Sequence, residues 1–558
     1  MTLKKSVICF LSFIFLASLQ IRPEKDRTIL FNGKIFTGKS GKYSEAIVIE
    51  DGKIVFVGSN NGAEKFGSGK SFLSRDLNGK VVLPGFHDAD MNFFLGAALL
   101  NSRMNLYGLN LDAVIHRLRA QRKRNNGVIY GFNFEHLLTR EGNWPNKYDL
   151  DKVSTDSPVV IYSSDGNNAW INSFTLKQCG IRETTVDPNG GRIVRFEDND
   201  PSGILCGSAL DLLKSFSFKN AFQFIKPDKN KIYIALNYLN SLGLTSVTSR
   251  GDLDLIKILK EIESAGKLTV RFNLILPSKN IGRYLINKIE FNTDSKYIRL
   301  VGLTKKIGGN LYTSDAAMFT PYWKSKRYGY IRSNINEISD MVSLYRKNGI
   351  LGDFDAEGDR GVNTVLNGIQ SSARRYLNRP QRHRISNFVF IIKEDLRRLK
   401  DMNVVPVMRP AFLIEKFHFI EKLVGERKAV NAVPAGSLVN SGVTFAFGSG
   451  WPGEPPDPLK ALLFSIYRTI RGMSGSENGW FLEESLSVKD AILAHTFAPS
   501  YSVLNENSVG TIERGKFADL IIIEGDLFSP ALDSDSFLST IKISETLIGG
   551  KTVFRSGN

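Results

Sequence analysis

Asp88, Asp90 and Asn92 alternate at the end of an otherwise apolar run that starts at Val81. On a strand, side chains two apart point to the same side, so these three oxygen-bearing residues share one face. Such a face can hold a hard cation or present a carboxylate as a base, depending on what other segments bring opposite it. His87 has the opposite parity and is expected to pack or hydrogen-bond behind the strand. Other chemistries lack their residues. Gly67–Ser71 ends like a phosphate loop, but the glycine required five positions before Gly69 is Glu64. Cys179 and Cys206 are the cysteines beyond the N-terminal region, and no spacing suited to a metal exists.

The segment Pro84-Gly85-Phe86-His87-Asp88-Ala89-Asp90-Met91-Asn92 resembles the Pro-Gly-Phe-x-Asp-x-His-x-His strand of the amidohydrolase superfamily, with both imidazoles replaced. Asp165-Gly166-Asn167 with Asn172-Ser173 is similar to the Asp-Gly-His…Asn-Ser segment of its family 3 branch, which includes N-substituted formamide deformylases. Asp187–Ile193 and Pro201–Leu205 match two further turns of that branch, and Leu242–Val247 resembles its entry into the next barrel strand. Lys306 with Asn310 stands at the family's Lys-x-x-x-Asp, Asp355 at the histidine of His-Ala-x-Gly-Asp-Arg, and Asn387 at that of Arg-Ile-Glu-His. Gly450 occupies the aspartate of Gly-Ser-Asp-Trp-Pro, just before Trp451.

The resemblance implies a (β/α)₈ TIM barrel whose metal-ligand positions are Asp90, Asn92, Lys306, Asp355 and Asn387. It places Gly450, Lys306 and Asp355 at catalytic positions, and Asp165, Asn167 and Trp451 at substrate-binding ones. The family precedent is zinc or another divalent metal, which lowers the pKa of a bridging water and polarises the scissile carbonyl of a carbon–nitrogen bond for hydrolysis. Here the nitrogen ligands have vanished together, and glycine at 450 can neither ligate nor take a proton. No cofactor is therefore expected, and the chain reads as a pseudoenzyme retained for binding or structure. Two alternatives stay open. Asp90, Asn92, Asp355, Asn387 and Glu357 could offer oxygens to Mg²⁺ or Ca²⁺, or Asp355 or Glu357 could act as a metal-free base. Without metals, Lys306 is expected to be an ammonium paired with Asp90 and Asp355. Adjacent Lys305 allows a slip of one residue that would aim the other lysine inward.

The elements that must position these residues follow from turn chemistry and periodicity. Asn32-Gly33, Asp51-Gly52 and Asn78-Gly79 supply hairpin turns between short β-rich runs, and Gly549-Gly550 does so near the other end. Residues 28–80 and 505–558 are expected to form one composite β-sandwich around a barrel over 81–504. Within the barrel, strands and helices alternate, and residues 97–216 exceed a strand-to-helix connection, so an insertion subdomain belongs there. Asp457-Pro458 opens an amphipathic helix.

Residues 1–20 carry a basic start and the apolar run Ser6–Leu19, predicting a signal peptide or anchor and a location outside the cytoplasm: exported, periplasmic or membrane-anchored. The formal charge of +17 favours peripheral association with anionic surfaces, while the scattered lysines and arginines, including Arg119–Arg124, carry no nucleic-acid recognition motif. A small-molecule ligand is the expected partner. Oligomeric state and the pairing of Cys179 with Cys206 are not fixed by the sequence.

Overall fold

The computed structural model describes residues 27–38, 43–67, 72–122, 127–134, 145–223, 225–292, 295–373, 382–469 and 480–557. The expected signal segment lies outside them.

The centre of the molecule is a nearly closed parallel sheet of eight strands, in order of sequence around the barrel. These are β1 (Phe86–Met91), β2 (Leu244–Arg250), β3 (Arg271–Pro277), β4 (Ile298–Lys306), β5 (Leu351–Asp355), β6 (His383–Ser386), β7 (Val404–Met408) and β8 (Ala446–Phe447). β1 through β7 are almost wholly buried, as expected of a parallel sheet covered by helices. Helices such as Lys229–Ser241 and Leu253–Ser264 bury Ile232, Leu236, Leu255 and Leu259 against it. The helix Pro458–Tyr467 forms as its sequence predicts, with Asp457 accepting the Leu459 and Lys460 amides at its start.

The two ends of the chain share a sheet. Strand Val81–Pro84 pairs antiparallel with Leu520–Glu524, so Val81 to Pro84 belong to the composite sheet and the barrel begins at Phe86. A second sheet of Arg27–Phe31, Ala46–Glu50, Lys53–Gly58 and Leu73–Asp76 lies beside it. Arg271 at the base of β3 donates to Asp519 across 2.8 Å, a buried ion pair joining barrel to composite region. The insertion between β1 and β2 carries its own sheet of five strands, in the order Gly191–Arg195, Pro201–Gly207, Asn168–Ile171, Val159–Tyr162, Ile129–Phe132. Cys179 and Cys206 are free thiols, and burial pushes the Cys206 thiol up to about 12.

Candidate functional site

Barrel enzymes assemble their sites at the C-terminal ends of the strands, and in this chain those ends carry charge. Asp90 is near the end of β1, Arg250 ends β2, Lys306 ends β4, Asp355 ends β5, Asn387 follows β6 and Arg409 follows β7. Gly450 lies in the loop after β8, its amide donating to the Asp90 carbonyl at 2.8 Å.

The guanidinium of Arg250 reaches both acidic strand ends. Its Nε lies 3.7 Å from Asp90 Oδ1, and its Nη1 and Nη2 each lie 3.4 Å from Asp355 Oδ2. Asn387 Nδ2 donates to the other oxygen of Asp355 at 3.0 Å, while Asn387 Oδ1 is buried with no partner. Burial raises the Asp90 carboxyl, with Arg250 opposing. Burial would also raise Asp355, but Lys306 and Arg250 outweigh it and hold that carboxyl below the usual range.

Lys306 is the lysine turned to the site, opposite Asp355 in the β4–β5 register. Its ammonium bonds Asp165 Oδ2 at 3.1 Å. This corrects the expected pairing: Asp90 is answered by Arg250, and the contact partner of Lys306 comes from the insertion. Burial opposes the charge on Lys306, but Asp165 and then Asp355 raise its pKa. Asp165 also accepts from Ser163 at 2.6 Å and from Asn167 Nδ2 at 2.7 Å, so Asn167 serves the same carboxylate.

Two other expectations change. Asn92 leaves the strand, and its side chain accepts the Leu95 amide at 3.2 Å to cap the helix Phe93–Leu99. Its oxygen is thereby spent on the helix start and not on the barrel interior. Trp451 is only 5% exposed, its ring 6.2 Å from Phe93 and 6.1 Å from Tyr238 and pressed against Gly96. It therefore sits in the packing between barrel and helix rather than on an open wall.

Arg409, absent from any recognised motif, lies over Gly450. A Cβ at residue 450 would fall 2.5 Å from Arg409 Nη1 and 2.8 Å from its Cδ, so this arginine and a side chain at 450 compete for one space. The nearest carboxylate to Arg409 is Glu357, at 3.9 Å. Burial pushes the Glu357 carboxyl up to about 7, with Arg409 and Lys306 pulling it down, and Glu357 accepts the Leu311 amide at 2.7 Å. Beside them Lys416 bonds Glu454 at 3.0 Å and the hydroxyl of Tyr312, all three buried.

The donor set does not fit a divalent metal. Arg250 stands between the two carboxylates, Asn92 has turned to a helix cap and residue 450 has no side chain. Among the described residues no group of three or more His, Cys, Asp or Glu could hold a metal ion. Arg250 was missed from sequence because it lies three residues beyond the Leu242–Val247 segment, and Arg409 because no family motif reaches it. Continuing the strand pattern from Leu244 by twos would have reached Arg250.

A family model described as "Amidohydrolase family" matches residues 74–554. The protein LONG AFTER FAR-RED 3 of Arabidopsis thaliana is 24% identical over 546 residues, covering 94% of this chain and 91% of that one. An N-substituted formamide deformylase of Arthrobacter pascens is 21% identical over 528 residues, covering 91% and 94%. In fold, the chain is similar to an uncharacterized metal-dependent hydrolase from Pyrococcus horikoshii OT3, with a TM-score of 0.70, 22% identity and coverage of 92% and 100%.

Proposed function

The chain belongs to the amidohydrolase family over residues 74–554, and we propose that it has left metal-dependent hydrolysis of carbon–nitrogen bonds and is retained as a small-molecule binding protein. The observation that carries this is the pair Gly450 and Arg409. Hydrolysis by a metal-bound water needs a group to take the proton and pass it to the leaving nitrogen. At residue 450 there is no side chain, and the guanidinium of Arg409, which cannot act as a base, fills the adjoining space. The test is to offer the purified protein Zn²⁺, Mn²⁺ or Co²⁺, remove the excess, and measure metal content and turnover of N-substituted formamides. Substoichiometric metal and no turnover are expected, whereas one or more ions per chain together with hydrolysis sinks the proposal.

A second reading draws on Glu357, whose carboxyl is pushed by burial up to about 7 and stands 3.9 Å from a guanidinium. A carboxylate so tuned is a general base near neutrality, with Arg409 to polarise a carbonyl. Hydrolysis insensitive to chelators and lost in Glu357→Gln would favour it.

Export is proposed from the basic start and apolar run of residues 1–20. Fractionation of cells, with sequencing of the mature N-terminus, tests it.

A further inference from the structure

The misfit between this site and a divalent metal has a positive side, because the carboxylates left behind still need a counter-charge. Asp90 and Asp355 are 6% and 2% exposed, and two buried carboxylates converging on one space are costly without a cation between them. Arg250 supplies that cation from the end of β2. It reaches both acids, yet at 3.4 to 3.7 Å every contact is longer than an ordinary charged hydrogen bond. Asn387 adds an independent sign. Its amide nitrogen is committed to Asp355, and its oxygen is buried beside the same carboxylate with no donor to meet it. Two carboxylates that meet at one guanidinium, with an unmet buried carbonyl oxygen on the amide bonded to one of them, are donors of the kind a hard cation takes, and the guanidinium makes no bond to Asn387 Oδ1.

We infer that Arg250 is a tethered substitute for a cation, and that Asp90, Asp355 and Asn387 Oδ1 form a latent hard-cation site that it occupies. This rests on the metal-free reading above and extends it: the fold has kept the electrostatic demand for a cation and moved its supply into the chain. In the native protein the site is closed to Mg²⁺, Ca²⁺ and Mn²⁺. Removing the guanidinium charge opens it.

The experiment compares native protein, Arg250→Gln and the triple variant Arg250→Gln/Asp90→Asn/Asp355→Asn, each chelated and then melted with and without millimolar Ca²⁺ or Mn²⁺, with titration calorimetry for stoichiometry. Native protein should not respond. R250Q should melt lower in chelator and rise by about 2–4 °C or more with either cation, as expected when a ligand binds only the folded state. The triple variant should recover stability without metal and show no response. If R250Q does not fold in chelator, it should refold from urea only with Ca²⁺ or Mn²⁺, and the triple variant should refold without them. An R250Q that is indifferent to both cations, or a triple variant with no recovery, overturns this inference and leaves the proposed loss of hydrolysis standing. Stoichiometric metal in the native protein overturns both.

Discussion

Lys306 and Asp165 form the ion pair that ties the end of β4 to the insertion, at 3.1 Å, with side chains 13% and 30% exposed. Lys306→Met should lower stability by about 1–2 kcal/mol, less than for a fully buried pair because Asp165 keeps access to water. Asp165→Asn should cost a similar amount, and the double variant less than the two losses added. Urea denaturation of the four proteins gives the coupling; strict additivity would mean the pair contributes nothing.

Arg384 is wholly buried, donating to Asp353 at 3.1 Å and to the Ala89 carbonyl at 2.7 Å. It sits deeper in the barrel than the charged strand ends. Arg384→Met strands the Asp353 carboxylate and should destabilise by about 3–5 kcal/mol. Arg384→Met with Asp353→Asn should recover part of that loss in the same urea series.

Gly450 has a φ of 72°, a left-handed conformation that a side chain resists, and Arg409 occupies the space a Cβ would need. Gly450→Ala should cost about 1–3 kcal/mol. Trimming the obstruction in Gly450→Ala/Arg409→Ala should cost less than the two single changes added. A neutral Gly450→Ala would show that neither the backbone nor the arginine is constrained there.

Acid should unfold the protein early. Burial holds both His383 and His495 down at about 3, against 6.5 for an ordinary histidine, with Arg346 adding to the effect at His383. Between those values the unfolded chain binds more protons than the folded one. Each histidine's contribution is therefore complete above about pH 6.5 and is lost as pH falls, costing about 2 kcal/mol apiece by pH 5. His495 has no hydrogen-bond partner at either ring nitrogen and lies edge-on to Phe86 and Phe447. His495→Phe should leave stability at pH 7 unchanged or higher and flatten the curve below pH 6.5; an unaltered slope would count against neutral burial.

The barrel and the positions of its strand ends were legible because framework residues such as Gly85, Gly243 and Arg384 survive where reactive ones do not. Register at Lys306 was ambiguous in sequence, since two lysines adjoin, and β4–β5 pairing resolves it by setting Lys306 opposite Asp355. Asn92 was misplaced because period-two alternation says nothing about where a strand stops. The signal was present, since an asparagine before the apolar run Phe93–Leu99 is a helix start. Arg250 and Arg409 escaped for another reason. Their roles arise from what faces them across the barrel, and Asp355 is 105 residues from Arg250, a separation no local pattern spans. Strand Val81–Pro84 looked like barrel because buried strands of either sheet are equally apolar.

The shared sheet at the chain's two ends imposes an order on biosynthesis. Arg75 and Glu545, which bond across the composite region, are 470 residues apart. At the ~5–20 residues per second of ribosomal elongation, the early strands wait roughly 20–90 s for their late partners. Throughout that interval Val81–Pro84 presents an apolar, unpaired edge of the kind that recruits foreign strands. A nascent chain of this design depends on a holding chaperone or on a rapidly formed barrel to shelter that edge until the last strands emerge.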